Sequence, residues 1–244
     1  MLRIGCFLLL PLSSVAQIRG LPAGSTVIET KELTAGAHPN RSLVLWMLHP
    51  KKNDRGPLTD DNPYTCPEQT LGSYYQGATR ISLVDTQTKT VINTIKLSSD
   101  ESDVFNIPYR IQPSPLYHVN ETLVRGEGRP ELLHLEDYNG DGQPLEAAFF
   151  EAEACMGLAT TLIGYSPKQD KVIQYHVILK TPGDSGGGQT DNVWVDYLFS
   201  EKPVRPGYWK YEIDYRGRAG TLDRYEVRYD PAAEVFRGSL ISGK

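Results

Sequence analysis

Residues 136–146 carry the best chemical signal in the chain: Glu136-Asp137-Tyr138-Asn139-Gly140-Asp141-Gly142-Gln143-Pro144-Leu145-Glu146. Asp137, Asn139 and Asp141 stand at positions 1, 3 and 5 of a DxNxDG loop. Oxygen ligands at that spacing fold onto one centre when a glycine, here Gly142, permits the sharp turn. Ca2+ suits such a set, because a hard cation accepts carboxylates, an amide oxygen and a backbone carbonyl. The carbonyl would come from Gln143 at position 7, and Glu146 at position 10 is a further acidic donor. The loop is not an EF-hand, which supplies a bidentate Glu at position 12, where this sequence has Ala148. Asn-Gly and Asp-Gly are also favoured hairpin turns for backbone reasons alone. The same residues therefore read as an ion loop or as a turn that binds nothing.

The segment resembles the DxNGDG turns of FG-GAP and VCBS-type repeats, in which a calcium loop introduces a strand in a secreted β-protein. The resemblance spans about a dozen residues strongly, and about forty weakly through Gly164-Tyr165 and the hairpin that follows. It implies a structural Ca2+ held by the loop. Those repeats place a further acidic residue near position 9; here Leu145 stands there and Glu146 follows.

Other motifs point to chemistry less well. Gly183-Asp184-Ser185-Gly186-Gly187 matches the nucleophile loop of chymotrypsin-like proteases. That chemistry needs a His base and a buried Asp, and no Ala-Ala-His-Cys setting surrounds His38, His49, His118, His134 or His176. Glu136, Asp137, Glu146, Glu151 and Glu153 would suit a glycoside hydrolase if two of them flanked a sugar, although sequence neighbours rarely do. The histidines are too scattered for a zinc site, and no glycine loop has a phosphate-binding context. Asn40-Arg41-Ser42 and Asn120-Glu121-Thr122 match the N-glycosylation triplet.

The chain has 244 residues, with 25 Lys and Arg against 30 Asp and Glu, a net charge of −5. That acidic balance disfavours nucleic-acid binding by phosphate neutralisation. Arg3, the apolar run Ile4 to Leu12 and the small residues Ser14 and Ala16 form a secretory signal with cleavage after Ala16. The run is too short to span a bilayer, and no later stretch is long and apolar enough to do so. The expected location is secreted or periplasmic. Cys6 leaves with the signal, and Cys66 and Cys155 are expected to pair in an oxidising compartment. The alternative is two buried thiols that never meet.

The elements that must position these residues read as strands. The 22 Gly and 17 Pro argue against a helical bundle. Residues 17–40 form a small, polar arm with a short strand at Thr26–Glu29, Leu43–Leu48 is a buried strand, and 49–72 is a long loop. Three hairpins follow one pattern: Thr79–Val84 with Thr90–Leu97, Thr160–Tyr165 with Val172–Leu179, and Asp223–Tyr229 with Glu234–Leu240. Their turns begin at Asp85, Ser166 and Asp230, separations of 81 and 64 residues, which we read as weak internal repetition. At the C-terminus Trp209, Tyr211, Ile213, Tyr225, Val227 and Tyr229 share a face, a sheet core or an aromatic ligand platform. The opposite face, with Lys210, Glu212, Arg224, Glu226 and Arg228, can pair charges across strands. Residues 145–156 fit helix or strand, with strand preferred.

The sequence thus predicts a signal over 1–16 and a single all-β domain over 17–244, an antiparallel, hairpin-rich meander, β-sandwich or propeller-like stack of sheets. The expected function is a non-catalytic binding or surface-associated role with an unknown protein or glycan ligand. The alternative is a secreted hydrolase with an acidic cleft near 136–153, which should gather His134 or Glu151 with other titratable groups.

Overall fold

The computed structural model describes residues 18–34, 36–54, 72–97, 105–111, 131–153, 157–180, 189–191, 194–195, 203–214 and 222–243. Among them every regular element is a β-strand: β1 (Ser25–Leu33), β2 (Arg41–Asp54), β3 (Gly72–Asp85), β4 (Thr90–Leu97), β5 (Phe105–Ile111), β6 (Glu146–Glu153), β7 (Gly157–Ser166), β8 (Lys171–Gln174), β9 (Val177–Lys180), β10 (Gln189–Asp191), β11 (Trp194–Val195), β12 (Tyr208–Asp214), β13 (Leu222–Asp230) and β14 (Val235–Gly243). The first sheet runs β1-β2-β3-β4, with β5 also on β3; the middle sheet is β6-β7 with β8 and β11 on β7; the last sheet runs β10-β9-β14-β13-β12. All pairings between these strands are antiparallel except β9 with β14.

The sheets stack face to face with the middle one buried on both sides. Period-two alternation sends Ala147, Phe149, Ile163 and Tyr165 one way, into a core with Leu43, Leu45, Met47, Ile81 and Leu83 of the first sheet. Leu162 and Ala148 point the other way, into a core with Tyr175, Val177, Trp209, Tyr211, Val227 and Phe236. Phe236 is its hub, with ring centroids 5.9 Å from Trp209, 6.1 Å from Tyr175 and 5.2 Å from Tyr229. The outer face of the first sheet has a small core of its own, Val44, Trp46 and Val84.

Each sheet contains the same meander, β2-β3-β4, β6-β7-β8 and β12-β13-β14. The predicted turns close the second and third strands of each. In every one, the first residue accepts hydrogen bonds from amides of its own turn: Asp85 from Thr88, Ser166 from Gln169, Asp230 from Ala232 and Ala233. In every one, the last residue is left-handed: Lys89 (φ 55°), Asp170 (φ 49°) and Glu234 (φ 53°).

The strand reading of 145–156 agrees with β6 over Glu146–Glu153, residues 154–156 lying outside the described residues, and the cross-strand charges of the last hairpin do pair, Arg224 with Glu212 and Lys210 with Glu226. Three boundaries differ from expectation. The first strand extends over Ser25–Leu33 because its pairing with β2 continues through a bulge. Residues 49–54 belong to β2, which passes a bulge at Leu48–Lys51 and pairs on to Ser73. Val172–Leu179 is not one strand: the chain leaves the middle sheet after Gln174 and joins the last sheet at Val177. The buried Tyr175 sits at that crossing, so the apolar run is unbroken although the strand is not.

Candidate functional site at the turn end of the stack

The ladder registers place the chemistry at one end. Arg41 at the start of β2 pairs with Asp85, Glu146 at the start of β6 pairs with Gly164, and Tyr208 at the start of β12 pairs with Arg228. The three turns and the three segments leading into β2, β6 and β12 therefore share an end of the stack. The acidic loop is the middle lead-in segment.

Within it, Asp137 acts as the organiser. Its Oδ1 accepts from the amides of Gly140 (2.7 Å) and Asp141 (3.1 Å), and its Oδ2 from Gly142 (3.0 Å). Asn139 Oδ1 accepts from the Asp141 amide at 2.8 Å, and Asp141 Oδ1 from the Gln143 amide at 2.8 Å. Gly140 and Gly142, at φ 79° and 87°, supply the reversals that this wrapping needs. Gly140 also lies against the backbone of Pro206 and Gly207, where a Cβ would come within 2.6 Å of Pro206 C. The loop thus meets the lead-in segment of the last sheet by backbone contact.

Glu146 lies beneath the loop, fully buried. Its Oε2 accepts from the amides of Tyr138 (3.0 Å) and Asn139 (3.4 Å), and its Oε1 from Asn139 Nδ2 (2.9 Å) and the Tyr175 hydroxyl (3.5 Å). Burial pushes its pKa up to about 8; the Asn139 and Tyr138 amides oppose that rise, while the charges of Asp141 and Asp137 add to it.

Nearer the first sheet, Arg41 reaches across to the middle one. Its Nε and Nη2 donate to the two oxygens of Asp170 at 2.9 and 2.7 Å, and Nη1 donates to Asp85 Oδ2 at 2.8 Å. Tyr165 donates its hydroxyl proton to Asp170 Oδ1 (2.9 Å), accepts from the His38 amide (3.2 Å), and His38 Nδ1 lies 3.6 Å from Asp170 Oδ2. The Arg41 hydrogen bonds hold Asp170 down at about 2. On the other side, Glu234 accepts from Ser166 Oγ (2.5 Å) and Gln169 Nε2 (2.6 Å), linking the middle turn to the last.

Asp137, Asn139, Asp141 and Gln143 are therefore in one tight turn, with Glu146 below it. The loop's carboxylate and amide oxygens keep lone pairs beyond those its amides occupy. The fit to Ca2+ rests on Asp137, Asn139, Asp141 and the Gln143 carbonyl, which accepts from the Leu145 amide at 2.9 Å. Glu146 turns both oxygens to the loop's inner side. Among the described residues no three His, Cys, Asp or Glu side chains converge as a metal cluster. His134 lies between two carboxylates, Nδ1 3.5 Å from Glu131 and Nε2 3.1 Å from Glu136, and Glu131 also pairs with Lys31. For Glu151 and Glu153 the strand placement alone is described. Cys66, Cys155, Ser185 and Asn120 lie outside the described residues. Asn40 is exposed and left-handed at φ 61°. No described helix is long and apolar enough to cross a membrane.

Arg41 and Asp170 were not singled out by the sequence. Arg41 lay hidden in a glycosylation triplet, and Asp170 read as one polar residue of a turn. The one available signal was the equivalence of the three turns. Comparison with protein-family models, with curated proteins and with solved structures gave no match in any of the three.

Proposed function

We propose that this chain is an exported, non-catalytic β-rich binding or surface-associated protein, with a protein or glycan as ligand, and that its 137–142 loop takes up Ca2+ as a structural ion. One observation carries the reading. The ionisable groups gathered at the turn end are spent on protein partners: Arg41 holds Asp85 of its own sheet and Asp170 of the middle one, Glu234 joins the last turn to Ser166 and Gln169, and Glu146 holds the acidic loop that leads into its own strand. A catalytic carboxylate must be able to reach a substrate, and Glu146 is fully buried among protein donors. Ca2+ is supported by the residue types and by a loop whose amides already hold Asp137, Asn139 and Asp141 in one turn. In this role the ion would neutralise the loop's two Asp charges and stabilise the fold by binding only the native state.

The test is thermal unfolding of the chain from Gln17 with Ca2+ and with excess chelator, repeated on Asp141→Ala. Ca2+ should raise Tm by several degrees, and Asp141→Ala should remove the rise. Equal melting in both conditions would reduce the loop to an ordinary turn.

A further inference from the structure

Among the described residues no other sheet covers the outer face of the first sheet. That face is covered by residues 18–21 of the chain itself. Ile18 and Leu21 pack on the cluster of Val44, Trp46 and Val84, together with Leu48 and Val91, and Trp46 is left only 4% exposed. Arg19 runs parallel to β4: its amide donates to Lys89 O at 2.8 Å, and its carbonyl accepts from the Val91 amide at 3.0 Å. Its Nη2 also donates to Thr88 O at 2.6 Å. The arm thus extends the free side of β4, the last strand of that sheet's main path.

Two features separate the arm from its seat. The seat is built from residues of β2, β3 and β4, whereas the arm reaches it through the short link 22–24. That link is tied to a strained point. Gly24, at φ 84°, accepts through its carbonyl from the His49 amide at 2.9 Å, and His49 is itself left-handed at φ 47° on a bulged part of β2.

The seat is also selective. Gly20 lies at φ 96°, and a Cβ there would sit 3.2 Å from Val91 Cβ. An occupant must therefore offer an apolar residue, a backbone able to pair with β4, a glycine and a second apolar residue, in that order. Ile18-Arg19-Gly20-Leu21 meets all four conditions, and a second copy of the chain carries the same segment.

We propose that the arm of one copy can occupy the seat of another, giving an arm-exchanged dimer in which each Trp46 is covered by its partner. The contacts at each seat are then the same as in the monomer. The balance is set by the link and by concentration rather than by new interactions.

Two variants test this. Gly20→Val disables the arm and leaves an open seat; Val91→Asp spoils the seat and leaves a free arm. Circular dichroism checks that each folds, with Leu21→Ser and Val91→Ser as replacements for one that does not. Each alone should sediment as a monomer, while their mixture should form a one-to-one dimer whose share rises with concentration. A peptide of residues 17–24 should dissolve that dimer and blue-shift Trp46 emission in Gly20→Val. It should bind this variant at least about tenfold more tightly than the unmodified chain, whose own arm competes. A mixture that stays monomeric overturns the proposal. If the peptide still binds in that case, the arm is a strap acting within one chain only.

Discussion

The two junctions of the stack are built from different materials. Between the first and middle sheets the core is mainly aliphatic, and at the turn end a single arginine ties two carboxylates from two turns. Between the middle and last sheets the core is aromatic, and at the same end a carboxylate lies buried without a described cation beside it. The two acids respond oppositely. Asp170, with a guanidinium against it, is held down at about 2, whereas Glu146, supplied by amides and hydroxyls, is pushed up to about 8. Amide hydrogen bonds offset part of a buried carboxylate's lost hydration, and at Glu146 they do not outweigh its burial, whereas Asp170 has a guanidinium as well. The first junction is closed by its own residues. The second holds an acid that burial keeps protonated up to about pH 8, beneath the carboxylates of Asp137 and Asp141.

Four perturbations sharpen or break this contrast. The largest effect is expected from Phe236→Ala, which removes the hub of the aromatic core and should cost about 3–5 kcal/mol in denaturant unfolding. A loss below about 1 kcal/mol would show that the rings do not form a close-packed junction.

Next is the pH dependence of Glu146. Its folded pKa lies above its unfolded value, so its contribution is fully present below about 4.5 and is lost as pH rises through about 8. Stability should fall by about 3 kcal/mol between pH 5 and 8, and Glu146→Gln should flatten that slope. An unchanged slope in the variant would assign the dependence elsewhere.

Arg41→Ala should cost about 2–3 kcal/mol, less than a fully buried pair because Asp170 keeps 27% of its side chain exposed. Asp170 has the opposite sign. Its contribution is present above its unfolded pKa and lost as pH falls through about 2, so the Arg41→Ala penalty should shrink in strong acid. A penalty independent of pH would mean that Arg41 acts by packing rather than by charge. The smallest effect is expected from Glu234→Ala, about 1 kcal/mol, since its two bonds join partly exposed turns. Proteolysis should then cut the last hairpin sooner while the first junction stays intact.

Much of the fold was legible because its signals are local. Asp85, Ser166 and Asp230 announce their turns by capping amides a few residues on, and the flanking β-branched runs fix the strands. The acidic loop was legible for the same reason. Less readable was anything decided between sheets. The step from middle to last sheet at Tyr175 falls inside an apolar run that looks continuous. Glu146 reads from the sequence as a tenth-position donor of the acidic loop, and nothing local shows that it stands on the face of β6 that the last sheet covers. The partnership of Arg41 and Asp170 spans 129 positions, and no spacing rule reaches that far.

The most direct measurement is a carboxyl-carbon NMR titration of both acids in one sample of the chain from Gln17, held free of divalent cations. The account predicts Asp170 titrating at about 2 and Glu146 at about 8, with the gap collapsing toward ordinary values on unfolding. Two midpoints both near 4 would contradict it, showing that neither junction is built around its carboxylate.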